Sequence, residues 1–364
     1  MVRTSKRLEA PRTGEGLHPK PTRPAMRKRV VRRLAALVMV LSGVIGPAFA
    51  TPARAADDVA SVNGRSISVD DLDALIESYA DHPELTNFAV DESTGTVSMD
   101  NARTALSFLI TQALGDDFLE SVGADPITDD EAESALVAQG ESSPGFLTLD
   151  GVGRSVIASQ IAASQRIGDI DTPQVADLAD RYEASPASLG VICARAIPVP
   201  DEATGDEVLD ALGDGTDFAT LRDQYAPASD VTDDSAVSEP ASSDGSATTD
   251  ESVSSSSDAT CSSLFELRVF GPEFVTAVLG AQPGVPFGPV ETPGGLQVLE
   301  IPRLDEVDDQ IQGIYDSPPQ LSSSGPTAAG ELLFDGFRAT ADVTISPRYG
   351  RWDSLTGQVV ALSA

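Results

Sequence analysis

From Ser68 to Ser185 the apolar residues recur every three or four positions, and beyond Pro186 that spacing stops. A chain that changes period in this way builds helices first and strands afterwards, which predicts a mixed α+β fold with a helical N-terminal part. Within the helical stretch, Leu72, Leu75, Ile76 and Tyr79 form one apolar face, and Leu106, Leu109, Ile110, Ala113, Leu114 and Phe118 form a longer one between residues 101 and 122. Ser68 with Asp71 and Thr128 with Glu131 have the spacing of helix-capping boxes. "VGRSVIASQIAASQRIG" supplies a further helix, and "QVADLADRYEAS" a shorter one that ends near Pro186. Ahead of all of these, "VASVNGRSIS" reads as two strands joined at an Asn63-Gly64 turn.

After Pro186, "LGVICARAIPVP" is rich in β-branched and small apolar residues between prolines, and reads as a strand. "GDEVLDALGDGTDFATLRDQYAP" gives two helical pieces around Gly213-Asp214-Gly215. Residues 227 to 260 are almost entirely Ser, Asp, Thr, Ala and Glu, too poor in apolar surface to offset the entropy of ordering, and are expected to be disordered. Order is expected to resume at Cys261, with a short helix in "PEFVTAVLGAQPG" and a hairpin in "GPVETPGGLQVLEI". A Ser/Pro-rich link follows, then a last helix in "AAGELLFDGFRATA" and a strand in "DVTISPRYGRWD" that stops at Pro347.

The first 55 residues stand apart. "MRKRVVRRLAALVMVLSGVIGPAFATPARA" has a basic start, an apolar run from Leu34 to Ile45, and small residues at Ala53 and Ala55, the layout of a secretory signal peptide. Cleavage is expected after Ala55, with Ala50 as the second choice, and Met26 is an alternative start. The apolar run is short for a transmembrane helix, so no membrane span is expected in the mature chain, and a secreted or cell-envelope location is. This leader holds 12 of the 24 Lys and Arg but 2 of the 57 Asp and Glu, so the remainder sets 12 arginines against 55 acidic residues, a net charge of −43. Such a surface repels nucleic acid and anionic lipid. It serves either as a solubilising coat or as an attractor of basic, unfolded clients.

Two cysteines remain, Cys193 and Cys261. In an oxidising compartment one disulfide is the economical reading, worth roughly 4 kcal/mol for a loop of about 70 residues. Two free buried thiols are the alternative.

The order of elements resembles a known family. "VASVNGRSISVDDLDALI" is similar to the start of the N-terminal domain of SurA-type and PrsA-type extracytoplasmic foldases, and residues 188 to 303 resemble a parvulin (PpiC-type) rotamase domain. The phrases that carry the second resemblance are "DGTDFATLRDQYA", "PEFVTAVLGAQPG" and "FGPVETPGGLQVLEI". "VTISPRYGRWD" is similar to the C-terminal strand of secreted SurA-like proteins of actinobacteria, which in that family returns to pack on the helical domain. The resemblance implies a SurA-like helical domain over residues 56 to 186, a parvulin-like α/β domain over 187 to 303 with the insert 227 to 260 inside it, a linker over 304 to 328, and a C-terminal helix and strand over 329 to 364 that complete the first domain.

A parvulin site is a shallow apolar pocket for the proline ring beside a polar cluster with two histidines. Its task is to hold a twisted X-Pro amide better than the planar one, against a barrier of about 18 to 20 kcal/mol, without nucleophile, metal or cofactor. By resemblance Phe274 is the pocket Phe, Phe270 stands near the family's Met, Ala194-Arg195-Ala196 replaces Ser-His-Ile, and Gln297 replaces the second histidine. Cys261 falls near the polar Cys or Asp, where a disulfide would make it a staple at the pocket mouth. The histidines of the chain are His18 and His82, so the rotamase region has none. Each residue also has a plainer reading: Phe270 and Phe274 as core packing, Gln297 as a solvated strand residue, Arg195 as a guanidinium beside acidic neighbours, and His82 before Pro83 as a turn residue. No stretch matches a zinc, Walker or twelve-residue calcium pattern, and neither metal nor cofactor is expected.

Three functions are open at this point. One is a secreted foldase that binds unfolded exported polypeptides and carries a weak or inactive isomerase domain. The others are a working peptidyl-prolyl isomerase acting on proline-containing polypeptides through an apolar pocket, and a cell-surface interaction module. The oligomeric state is not legible.

Overall fold

Asn63 and Gly64 both take positive φ, 48° and 84°, and the reversal they make joins β1 (Asp58–Val62) to β2 (Arg65–Ser68) as an antiparallel pair. This is seen in a computed structural model that describes residues 58–80, 82, 90–91, 96–140, 144–149, 151–225, 259–318 and 326–362. The expected signal peptide and nearly all of the Ser/Asp-rich insert lie outside the described residues.

Ser68 caps α1 (Val69–Ala80). The Asp71 N–H donates to Ser68 Oγ at 3.1 Å and the Ser68 N–H donates to Asp71 Oδ2 at 3.0 Å, so two otherwise orphaned donors satisfy each other's residue. α1 buries Leu72, Leu75 and Tyr79 against α2 (Met99–Ser121), whose apolar face contributes Leu106, Ile110 and Leu114 to the same core. A short hairpin of β3 (Val90–Asp91) and β4 (Thr96–Val97) precedes α2.

α3 (Asp129–Gly140) and α4 (Gly151–Gly168) complete the helical layer. Thr128 Oγ1 accepts from the Glu131 N–H at 3.3 Å, as the capping spacing predicts. The Glu131 carboxylate does not return to the cap, because Arg166 of α4 holds it. Arg154 of α4 pairs with Glu133 of α3 in the same way, at 2.5 Å. Charge-assisted bonds across the helix pair thus take a side chain that sequence spacing assigns to a cap.

The C-terminal chain closes the N-terminal hairpin. β9 (Val343–Ile345) pairs antiparallel with β1, with Ser61 opposite Thr344, to make a sheet of order β2-β1-β9. The single terminal strand expected from sequence continues as a separate hairpin, β10 (Arg351–Asp353) with β11 (Gln358–Val360), and the Val359 N–H donates to the Ser107 hydroxyl of α2 at 2.8 Å.

A second sheet has order β6-β5-β8-β7, every pair antiparallel, from β5 (Val191–Pro198), β6 (Thr260–Ser263), β7 (Phe287–Thr292) and β8 (Gly295–Glu300). Ile197 and Val298, register partners, face α6 (Glu202–Gly213) and α7 (Phe218–Tyr225) through Val208, Phe218 and Leu221. Leu299, one residue on and therefore on the other face, packs with Val290 and with Phe274 and Val278 of α8 (Pro272–Leu279). The fold is mixed α+β.

The "QVADLADRYEAS" segment splits into a 3₁₀ turn, Val175–Leu178, and α5 (Ala179–Ala184), followed by a second 3₁₀ turn, Pro186–Leu189. Residues after Leu304, which sequence assigns to a linker, instead form a 3₁₀ turn (Leu304–Glu306) and α9 (Asp308–Asp316). Val307, Ile311 and Tyr315 are buried there, and the Tyr315 hydroxyl donates to the Leu189 carbonyl at 2.6 Å.

α10 (Ala329–Thr340) binds the helical layer to the sheet. Phe334 and Phe337 meet Phe118 of α2 edge-on, both at 5.5 Å between ring centroids. On another side of α10, Gly336 lies against the backbone of Ser188 and Gly190, and Gly190 (φ 72°) lies against the Leu332 carbonyl, so closely that a Cβ on either glycine would overlap backbone atoms. One apolar core therefore runs from Phe118 and Ile167 of the helical layer to Leu299 and Phe274 of the sheet.

Candidate functional site

Of the residues that the resemblance points to, the structure brings three to one face of the four-stranded sheet and puts the fourth on the other. Phe270 and Phe274 stack with centroids 4.6 Å apart and ring planes 28° apart. Gly271 caps α8 and Pro272 starts it, which sets Phe274 one turn in, where it is buried among Val290 and Leu299. Gln297 is the register partner of Val290 and of Pro198, so its side chain leaves the sheet on this same face and is half-buried.

Arg195 pairs with Glu300 across β5 and β8, an odd number of residues from Pro198 and Gln297, so it leaves the sheet on the opposite face. There its guanidinium binds Glu300 at 3.2 Å and Glu306 in the turn before α9. Burial pushes the Glu300 carboxyl above the ordinary carboxylate range, with Arg195 opposing that shift. The guanidinium beside acidic neighbours is thus the reading the geometry supports. Cys193 and Cys261 are direct register partners joined by a disulfide. The bridge ties edge strand β6 to β5, and both cysteines pack in the apolar cluster that also holds Phe270 and Phe274. His82, half-buried after α1, lies in the helical part.

Three clefts adjoin α4. One cleft, about 460 Å³, opens between α3, the 3₁₀ turn Pro144–Thr148 and α4, with Phe146, Ile157 and Ile161 as its floor and Gln139, Gln160, Ser164 and Gln165 as its rim. A second, about 470 Å³, lies between α2, α4 and β11 and shares Gln160. The third, about 290 Å³, lies between α4, α10 and the segment from Phe265 to Arg268; it shares Ser164 with the first and Thr356 with the second. Gln160, Ser164 and Thr356 each border two of the three, so the clefts adjoin one another around α4, and together they are called the groove. From Ile157 to Ile167 the helix rises roughly 15 Å, the reach of four or five extended residues at about 3.3 Å each.

The charged side chains that line the groove are held by internal partners, and Glu331 on α10 accepts from the Thr327 hydroxyl at 3.1 Å instead of from a cation. Arg103 binds Asp100 at 2.6 Å and donates to the Tyr349 carbonyl at 2.7 Å. Arg338 pairs with Asp335 at 2.8 Å and donates to the carbonyls of Ser354 and Leu355. Arg268 lies 3.4 Å over the Phe265 ring. Burial raises the Asp335 carboxyl above the ordinary range, with Arg338 opposing. Gln160 Nε2 donates to the Phe108 carbonyl at 2.7 Å, which fixes its side chain along the rim between two clefts. The combination is apolar floor, amide and hydroxyl rim, and charges held by internal partners.

Sequence reasoning missed this groove. Its trace is the recurrence of Ile157 and Ile161 beside Gln160 and Ser164 at helical spacing on α4, a polar strip that adjoins an apolar one. Among the described residues no helix is long and apolar enough to cross a membrane, and no group of three or more His, Cys, Asp or Glu is placed to hold a metal ion.

No protein-family model matches the chain, and no curated protein does. Among solved structures, the crystal structure of PrsA from Bacillus subtilis matches over 71% of this chain and 93% of that one, with 16% sequence identity and a TM-score of 0.23. A similarity at that level carries no weight for fold or function.

Proposed function

We propose that this chain is an extracytoplasmic foldase of the SurA/PrsA kind, exported by its N-terminal signal, whose helical layer holds unfolded polypeptides while its parvulin-like sheet contributes little or no isomerase activity. The observation that carries this reading is the groove along α4, long enough for several extended residues and lined by amides over an apolar floor. The weak isomerase follows from chemistry on the sheet. No histidine occurs between His82 and the C-terminus, and Arg195, which stands where the family has one, is engaged by two glutamates on the face away from Phe274.

A second reading, an active prolyl isomerase, is favoured by the stacked Phe270 and Phe274, since the half-buried Phe270, resting on the buried Phe274, keeps apolar surface that a proline ring can touch. One set of assays on the mature protein distinguishes the two. The foldase reading expects suppression of aggregation of a reduced, denatured client at stoichiometric ratio, and a protease-coupled prolyl isomerisation rate equal to the uncatalysed one. Isomerisation that is accelerated by wild type and lost in Phe274→Ala would establish the second reading instead. No suppression at any ratio would remove the chaperone role.

A further inference from the structure

The groove is selective in a way that its lining and the charge of the rest of the molecule determine together. We propose that, given the polypeptide-binding role, its occupant is a cationic stretch of unfolded chain that seats a bulky uncharged side chain in the cleft between α3 and α4. The cleft itself is uncharged: Phe146, Ile157 and Ile161 supply the floor, and amides and a hydroxyl supply the rim. A charged side chain placed there would lose its hydration with no counter-charge to receive it, whereas an aliphatic or aromatic one gains about 25 cal/mol for each Å² it buries.

The two flanking clefts decide the sign of the rest. Their arginines, Arg103, Arg268 and Arg338, are each tied to a carboxylate, a carbonyl or a ring, so the groove holds no uncommitted arginine for an anionic segment. Asp100, by contrast, stands with its side chain 89% exposed at the α2 end although Arg103 touches it. Beyond the groove, the residues after Ala55 carry 55 acidic groups against 12 arginines. A field of that sign raises the local concentration of cationic chains and repels anionic ones. It also disfavours the other occupants an apolar groove can take. A second copy of this chain brings the same excess of negative charge, and nucleic acid and anionic membranes bring theirs.

The test uses three fluorescent peptides of equal length and equal Phe and Leu content, whose remaining positions are Arg and Ser, Ser alone, or Glu and Ser. Binding to the full mature protein is followed by anisotropy at low salt and at about 0.5 M salt, where the screening length falls to a few Å. The expected result is that the Arg peptide binds at least about tenfold tighter than the Glu peptide at low salt, that high salt narrows this gap, and that Ile161→Asp weakens all three. Ser164→Arg, at an exposed rim position that leaves the α4 core untouched, is a second variant and should weaken the Arg peptide most. Equal affinities for Arg and Glu peptides would overturn the cationic selectivity while the polypeptide-binding role stands. Absence of binding by every peptide would overturn that role itself. Sedimentation of the protein alone showing a dimer that Ser164→Arg dissociates would assign the groove to a second copy and overturn the proposal.

Discussion

Gly336→Ala is expected to cost about 3 kcal/mol or more of folding stability, a large effect for one methyl group. The reason is local. A Cβ on Gly336 would overlap the Gly190 amide nitrogen and the Ser188 carbonyl, and both are backbone atoms that cannot rotate away. The 3₁₀ turn beneath them leads directly into β5, and α10 presses on it while its other residues pack on α2, so displacement of the helix loosens both halves of the molecule. Gly313→Ala in α9 is the matched control. Nothing lies within 4 Å of the added methyl there, so the change should stabilise by up to about 1 kcal/mol through helix propensity. Urea midpoints for the two variants should move in opposite directions, and equal small shifts would contradict the described docking of α10.

Removal of the disulfide is the second large effect. Cys193→Ala with Cys261→Ala opens a link between residues 68 apart in sequence, for which the chain-entropy treatment gives roughly 4 kcal/mol. β6 should suffer most, because this four-residue edge strand has β5 as its one strand partner among the described residues and follows a long segment rich in Ser and Asp. Hydrogen exchange should therefore accelerate across β6 by a larger factor than across β8, which is flanked by β5 and β7. A loss below about 1 kcal/mol, with β6 still protected, would show that strand pairing alone holds it.

Local signals were legible in the sequence where the governing contacts are themselves local. The Asn63-Gly64 reversal, the Ser68 and Asp71 cap, and the strands on either side of the turn at Gly294 depend on neighbours within a few residues. α9 was not legible, because Val307, Ile311 and Tyr315 are few and sit among Asp308, Asp309 and Asp316, and their burial comes from the turn near Leu189 on a distant part of the chain. β10 and β11 have three residues each, below the length at which alternation can be read. The side of the sheet on which Arg195 emerges depends on the register of β5 with β8, and a shift of one residue reverses it. The groove is built from α2, α3, α4, α10 and the C-terminal hairpin, so no single stretch announces it.

The claim that polypeptide binds along α4 is tested most directly by a photoreactive amino acid at Ile161, on the groove floor, and another at Val285, which is 48% exposed just before β7 of the second sheet. With a reduced, unfolded client present, strong cross-linking is expected from position 161, little from 285, and loss of the first product when unlabelled client competes. Cross-links from 285 with none from 161 would place the client on the sheet and contradict binding along α4.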